Sequence, residues 1–211
     1  EWQFYRWGPV APREQVKGLC DPDGFLWRSV EEVYAHSNPA EALIEGRAQI
    51  KKVLASGVPV THIDSHMGTM QYSPDYFKAY VQLAMEFNLP LRMPSQSTME
   101  KFKQPTLRDE LANQGVVFTD YFVYGELDNY KEVKPFWINI IKNLKPGVTE
   151  IFIHASKLSD ELKAITGTAE KRAQEAACFT SDQVIRKLIK DEGVILIGYR
   201  PLLELQRKLR K

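Results

Sequence analysis

The residues with the clearest chemical potential lie in one short segment, THIDSH at positions 61–66. Residues two apart share a face of a strand, so the spacing predicts that His62, Asp64 and His66 point the same way. The apolar residues 58–60 precede them, which predicts that all three lie at the carboxyl end of a strand. Imidazole and carboxylate are common ligands of divalent hydrolytic metals, and Asp64 could instead orient a ligating histidine. A hydrogen-bonded histidine–aspartate network without a metal is the structural alternative.

A second candidate is His154, which follows the apolar segment 150–153. This placement predicts another strand end, with Phe152 on the same face as His154. The carboxyl ends of parallel strands meet at one edge of a sheet, so we expect both histidine sites to face a common bowl. A purely structural histidine is the alternative.

Three further residues are candidate substrate contacts. Arg92 and Arg200 each follow an apolar strand-like segment, and each could bind substrate or form an internal ion pair. Trp7 lies in the aromatic, proline-containing region 1–38, which predicts an irregular loop that could form a wall of a sugar-binding cleft. The alternative is that these rings fill the side of the core.

The elements that must position these residues alternate between strands and helices. The predicted strands are Val58–His66, Leu89–Ser95, Val116–Tyr124, Glu150–Ser156 and Val194–Arg200. The predicted helices cover 28–36, 40–56, 74–87, 106–113, 133–144, 182–191 and 202–211, with Ser181 as the N-cap of the 182–191 helix. This order predicts a parallel sheet with crossover helices.

Two architectures fit that order. A TIM-like barrel commonly has about eight strands and about 250 residues, so its first strands would lie upstream of Glu1, where the chain starts without a methionine. A five-stranded open sheet is the other interpretation. We expect one domain over 1–211, with the aromatic loop region at 1–38 and βα units over 39–211.

The composition argues against several classes of binding partner and of functional site. The chain has 28 Lys and Arg against 27 Asp and Glu, a net charge of +1, so no field favours nucleic acid or an anionic membrane. No apolar run approaches the ~20 residues of a transmembrane helix. The two cysteines, Cys20 and Cys178, form no metal or disulfide pattern. Nucleotide-binding glycine motifs and the GxSxG hydrolase motif are absent.

The stretch VPVTHIDSHMGT at 58–69 resembles the THxDSHxH motif of the YdjC-like carbohydrate deacetylases, which include chitooligosaccharide deacetylases. The likeness extends over nearly the whole chain, through EWQFYRWGP at 1–9, DGFLW at 23–27, LRMPS at 91–95, ELKAITG at 161–167 and GYRP at 198–201. Two departures are visible. His154 is followed by Ala-Ser rather than Pro-Ala, and Met67-Gly68 replaces the continuation that carries a third histidine in some relatives.

The resemblance implies an irregular (β/α) barrel of the deacetylase type, whose first strands are missing from this sequence. It also implies removal of an N-acetyl group from an amino sugar with magnesium or zinc. His66 would be a metal ligand, and His62 is our second metal candidate. Asp64 would orient or assist, and His154 would protonate the leaving amine or hold substrate. The family's Asp-Asp motif and first histidine ligand would lie upstream of Glu1.

We therefore expect a metal-dependent hydrolase of an amino sugar or chitooligosaccharide-like carbohydrate. The alternatives are a non-catalytic carbohydrate-binding barrel with a degenerate site, and a metal hydrolase of another substrate such as a phosphoester. The expected partner is a small carbohydrate, and a homo-oligomer remains open. A cytoplasmic location is favoured, with export open if a signal precedes Glu1.

Overall fold

Helices dominate the computed structural model, which describes residue 2, residues 4–125 and residues 131–211. Over these residues the fold is α/β, with one small parallel sheet. The helices are α1 (Val30–His36), α2 (Pro39–Ala55), α3 (Pro74–Phe87), α4 (Gln96–Lys101), α5 (Leu107–Asn113), α6 (Val133–Lys142), α7 (Asp160–Ile165), α8 (Ala169–Thr180), α9 (Gln183–Asp191) and α10 (Arg200–Leu209). The strands are β1 (Tyr121–Tyr124) and β2 (Thr149–Phe152). Short 3-10 helices cover Arg13–Gln15, Lys17–Leu19 and His66–Gly68.

The chain forms two compact units. The first unit comprises Glu1–Phe118 and Gly198–Lys211, and the second unit comprises Thr119–Ile197. The prediction of a single domain over 1–211 stays a prediction. None of the helices in the described ranges is both long enough and apolar enough to cross a bilayer.

Local signals explain the first unit's two long helices. The side chain of Asn38 accepts hydrogen bonds from the backbone N–H groups of Ala40 and Glu41, and Pro39 occupies the first turn of α2, where no donor is lost. Helix α3 likewise starts at a proline, and its apolar face is buried as the spacing predicts. The buried residues of that face are Tyr76, Phe77, Ala79, Tyr80, Leu83 and Ala84.

The predicted strands at 58–66 and 89–95 meet in parallel at one point only. Ile63 pairs with Leu91, through hydrogen bonds from Ile63 N to Pro90 O (2.9 Å) and from Arg92 N to Ile63 O (3.0 Å). Pro59, Pro90 and Pro94 have no N–H, so a longer ladder lacks donors at these positions. The paired residues nevertheless lie in the core, where Ile63, Leu91 and Met93 pack against α3.

The second unit contains the regular sheet. Strands β1 and β2 are parallel, with Tyr121 opposite Thr149 and Tyr124 opposite Phe152. Strand β1 lies inside the predicted strand 116–124. Strand β2 lies inside the predicted strand 150–156 except that it starts one residue earlier. A core around Trp137 packs α6 against α8 and α9.

The predicted strand Val194–Arg200 is wrong. Residues 194–198 form no strand in the structure, and Arg200 begins α10 instead of ending a strand. The side chains of Ile195 and Leu196 are 84% and 75% exposed. A β-branched run indicates that a segment could form a strand, but a strand also needs a paired neighbour.

Other predictions need smaller corrections. The N-cap of α9 is Asp182 rather than Ser181, because its carboxylate accepts hydrogen bonds from Val184 N (2.8 Å) and Ile185 N (3.0 Å). Helices α4, α7 and α8 were not predicted at all. The α/β class is confirmed, whereas the described residues do not form a closed barrel.

Candidate functional site

A cavity of about 300 Å³ in the first unit brings polar and aromatic groups together. Asp64 and His66 lie on its lining, as do Glu45 and Gln49 of α2. The aromatic lining residues come from the 1–38 region and are Trp2, Tyr5, Trp7 and Trp27. The volume is at the lower end of the roughly 300–1,000 Å³ typical of small-molecule sites.

The backbone around His66 does not continue the extended geometry that precedes it. Ile63 is buried at the bridge and Asp64 follows it with an exposed side chain. His66 then begins a 3-10 turn in which Met67 has a φ of 54°. The hydroxyl of Ser65 accepts a hydrogen bond from Met70 N at 2.8 Å and closes this turn. The two-residue alternation of a strand therefore ends before His66.

His62 occupies a different place from His66. Its ring lies parallel to that of Tyr199, with 3.7 Å between centroids and 6° between planes. Its Nδ1 atom is 3.0 Å from the hydroxyl of Thr61. His62 is not among the described residues that line the cavity, so the prediction of one shared face for His62, Asp64 and His66 needs correction. His66 departs from that face because a 3-10 turn begins there.

Asp64 is held by an arginine. Arg92 Nη1 lies 2.5 Å from Asp64 Oδ2, and the Asp64 side chain is 35% exposed. The structure therefore shows the internal ion pair that was one of the two alternatives for Arg92. A charge-assisted bond of this kind fixes the direction of the carboxylate at the edge of the cavity.

Tyr80 contacts the backbone beside this ion pair. Sequence reasoning did not identify it as part of the site. Its hydroxyl donates to Ile63 O at 2.8 Å and lies 3.4 Å from Arg92 O. Burial, assisted by the negative charge of Asp64, raises the pKa of Tyr80 well above its usual value. The sequence could have pointed to Tyr80, because it is a tyrosine within the apolar face of a helix and a buried hydroxyl requires a hydrogen-bond partner.

The aromatic wall is anchored by Glu45, another residue that sequence reasoning missed. Its buried carboxylate accepts hydrogen bonds from Val10 N (2.9 Å) and Ala11 N (2.9 Å). Trp27 is fixed separately, because its indole N–H donates to Gly18 O at 2.7 Å. Trp7 remains 46% exposed on the cavity lining.

The other two candidates lie elsewhere in the chain. Arg200 is exposed at the first position of α10. His154 follows β2 in the second unit, and its ring makes an edge contact with Phe152 at 5.1 Å, as expected for residues on one face. Its backbone N–H donates to the buried carboxylate of Glu175 at 2.6 Å. The expectation that His154 and the 61–66 segment face one bowl stays a prediction.

The donor atoms near the cavity have the chemistry of a divalent metal site but do not complete one. His66 offers an imidazole and Asp64 a carboxylate, both common ligands for zinc or magnesium. Over the ranges that the structure describes, no three His, Cys, Asp or Glu side chains converge as a ligand group. The fit to a metal is therefore partial.

Comparison with known proteins gives the family. The model of the YdjC-like protein family matches residues 2–190, so this chain belongs to the YdjC-like family. The resemblance noted from the sequence is thereby confirmed.

Curated relatives carry the name carbohydrate deacetylase. The one from Thermoanaerobacter pseudethanolicus is 28% identical over 191 residues, covering 90% of this chain and 72% of the relative. The one from Enterococcus faecalis is 25% identical over 195 residues, covering 92% and 72%. A crystal structure from Enterococcus faecalis V583, described as a cellobiose-phosphate cleavage protein, has a TM-score of 0.74 at 24% identity. That match covers 92% of this chain and 72% of the other, and it shows a shared fold.

Proposed function

We propose that this protein is a carbohydrate deacetylase that removes an N-acetyl group from an amino sugar. The observation that carries the proposal is the cavity of about 300 Å³ at which His66 and Asp64 meet a wall of aromatic rings. Family membership and the names of the curated relatives support the same activity. A chitooligosaccharide-like substrate is the specific form that we expect.

The lining suits a sugar. Indole and phenol rings pack against the apolar faces of a pyranose, and Trp7 and Trp27 present such surfaces. Gln49 donates to Glu45 at 2.8 Å, and both side chains lie on the lining, where polar groups could orient sugar hydroxyls. We assign Trp7 to substrate binding. Arg92 acts through Asp64, and Arg200 stays a proposed contact from the sequence.

The reaction is hydrolysis of an amide. Water oxygen bonds to the acetyl carbon, the C–N bond breaks, and the amine leaves with a proton, so the products are acetate and a free amino sugar. Arg92 holds the carboxylate of Asp64 in one direction, so Asp64 can orient a polar group of the substrate or the attacking water. We assign to His154 the donation of the proton to the leaving nitrogen.

Metal dependence is part of the proposal. We assign His66 as one ligand of a divalent ion, magnesium or zinc. When bound, such an ion polarises an amide carbonyl and lowers the pKa of water. We also propose that the parallel elements of this chain belong to an irregular (β/α) barrel, as the resemblance to the YdjC-like family implies.

One observation favours a second candidate, a carbohydrate-binding protein without catalysis. Arg92 already pairs with Asp64, so this carboxylate has an internal partner instead of facing a substrate alone. The aromatic cavity would serve such a binder equally well.

The test measures acetate released from N-acetylated chitooligosaccharides, together with the metal content of the purified full chain. His66→Ala is expected to abolish acetate release and to lower bound metal. Lys78→Ala is the control, because Lys78 is exposed on α3, where it forms an ion pair with Asp75, and is not among the described residues that line the cavity. Sugar binding without acetate release would favour the binding protein. Unchanged metal content in His66→Ala would remove the ligand assignment.

A further inference from the structure

A buried glutamate in the second unit has no role in the function proposed so far. Glu175 of α8 has no exposed surface. Its Oε1 atom accepts a hydrogen bond from Trp137 Nε1 at 3.0 Å, and its Oε2 atom accepts one from His154 N at 2.6 Å. Burial of a carboxylate is costly unless donors surround it, so these two N–H groups hold Glu175 in one orientation.

The same carboxylate lies beside the ring of His154. Nδ1 of His154 is 3.8 Å from Glu175 Oε2, and that nitrogen is itself buried. The side chain as a whole is 30% exposed, so its accessible surface belongs to other ring atoms. Phe152 contacts the ring edge-on at an interplanar angle of 74° and limits its rotation.

We propose that Glu175 is a positioning residue for His154, and that its carboxylate keeps a proton on Nδ1 so that Nε2 is the nitrogen presented for reaction. A lone pair on Nδ1 would face a negative charge, whereas an N–H there is attracted to it. The hydrogen bond from His154 N to Glu175 and the contact of the His154 ring with Phe152 also fix the direction in which that ring points. The catalytic consequence rests on the proposed function, since His154 is the proton donor there.

Three other titratable groups of the second unit, Cys178, Lys134 and Asp182, have surroundings of their own. Cys178 lies one turn after Glu175, and burial raises the pKa of its thiol, which keeps it neutral. Lys134 and Asp182 neutralise each other at 2.6 Å. The carboxylate of Glu175 itself lies beside the ring of His154, with 3.8 Å between Oε2 and Nδ1.

The experiment is ¹⁵N NMR of the histidine rings in the full chain at one pH near neutrality. The sequence has four histidines, so a single His154→Asn variant assigns the signal. In the wild type, Nδ1 of His154 is expected to carry a proton. In Glu175→Gln, the Nδ1 signal should move towards that of a nitrogen without one, and Glu175→Asp, which restores the charge, should reverse part of the change.

A matched control separates this effect from general destabilisation. Glu45 is also a buried glutamate that accepts backbone amides, so Glu45→Gln should leave the His154 signal unchanged. A wild-type His154 with its lone pair on Nδ1 would overturn the proposal, even if Glu175→Gln failed to fold. So would an unchanged signal in folded Glu175→Gln, or an equal shift in Glu45→Gln.

Activity gives an independent readout. If the wild type releases acetate, Glu175→Gln should lower kcat about 10- to 100-fold with KM unchanged, as for other partners that orient a histidine. If the wild type releases no acetate but carries a proton on Nδ1 of His154, the result would count against the proposed deacetylase function. It would leave the positioning role of Glu175 intact. A change in KM alone would count against Glu175.

Discussion

The two units hold their carboxylates at candidate sites in opposite ways. In the first unit, Asp64 is partly exposed and is paired with a cation, Arg92. In the second unit, Glu175 is fully buried and is held by neutral donors of Trp137 and His154. The comparison teaches that a partly exposed ion pair can be altered at little cost to folding, whereas a buried carboxylate is part of the core that surrounds it.

The largest expected effect on stability separates these two carboxylates. Glu175→Ala leaves the N–H groups of Trp137 and His154 without an acceptor in the core, so the free energy of unfolding should fall by about 2 to 5 kcal/mol. Urea unfolding of the full chain measures this change. A loss below about 1 kcal/mol would show that the second unit does not depend on its buried carboxylate.

Asp64→Asn tests the partly exposed carboxylate of the first unit. We expect a change in unfolding free energy within about 1 kcal/mol, because the lost pair is partly exposed. Acetate release should fall about 10- to 100-fold, because the direction of the carboxylate is lost. Asp75→Asn, at an exposed pair with Lys78, is the matched control and should retain full activity. Equal losses of activity in both variants would contradict a specific role for Asp64.

Tyr80→Phe sharpens the comparison, because it removes the hydroxyl that bonds to the backbone next to Asp64 and keeps the aromatic ring. The hydroxyl bond to Ile63 O is lost in the core, so unfolding should become easier by about 1 kcal/mol. Thermal unfolding checks the stability. Activity should fall less than in Asp64→Asn, and a larger fall would mean that Tyr80 has a more direct role than support.

The smallest effect concerns alkaline pH in the first unit. Burial raises the pKa of Tyr34 to about 12, and its hydroxyl donates to Thr69 O at 2.6 Å beside the cavity. A pKa raised on folding gives stability that is complete below the unfolded value near 10 and is lost as the pH rises through about 12. Tyr34→Phe should therefore show a shallower loss of stability between pH 10 and 12 in urea unfolding. An identical slope in both proteins would mean that Tyr34 titrates normally.

Particular residues show how far sequence reasoning reached. The start of α2 could be predicted because Asn38 and Pro39 act on neighbouring N–H groups, and the buried face of α3 follows from helical spacing. The roles of Asp64 and His66 as cavity residues were within reach for the same reason, since both follow an apolar segment. Glu45 was missed because the backbone N–H groups that it accepts lie 34 and 35 residues away along the chain. Glu175 was missed because its donors lie 38 and 21 residues away.

The sequence by itself determined most helices, the α/β class and the histidine-bearing segments, because caps, prolines and apolar spacing act over a few residues. Tertiary structure alone decided that His62 stacks on Tyr199, that Arg92 pairs with Asp64, and that the apolar run at 194–197 is not a strand. These outcomes depend on partners distant in sequence. Pairing energy and the cost of burying a charge arise only once those partners are brought together.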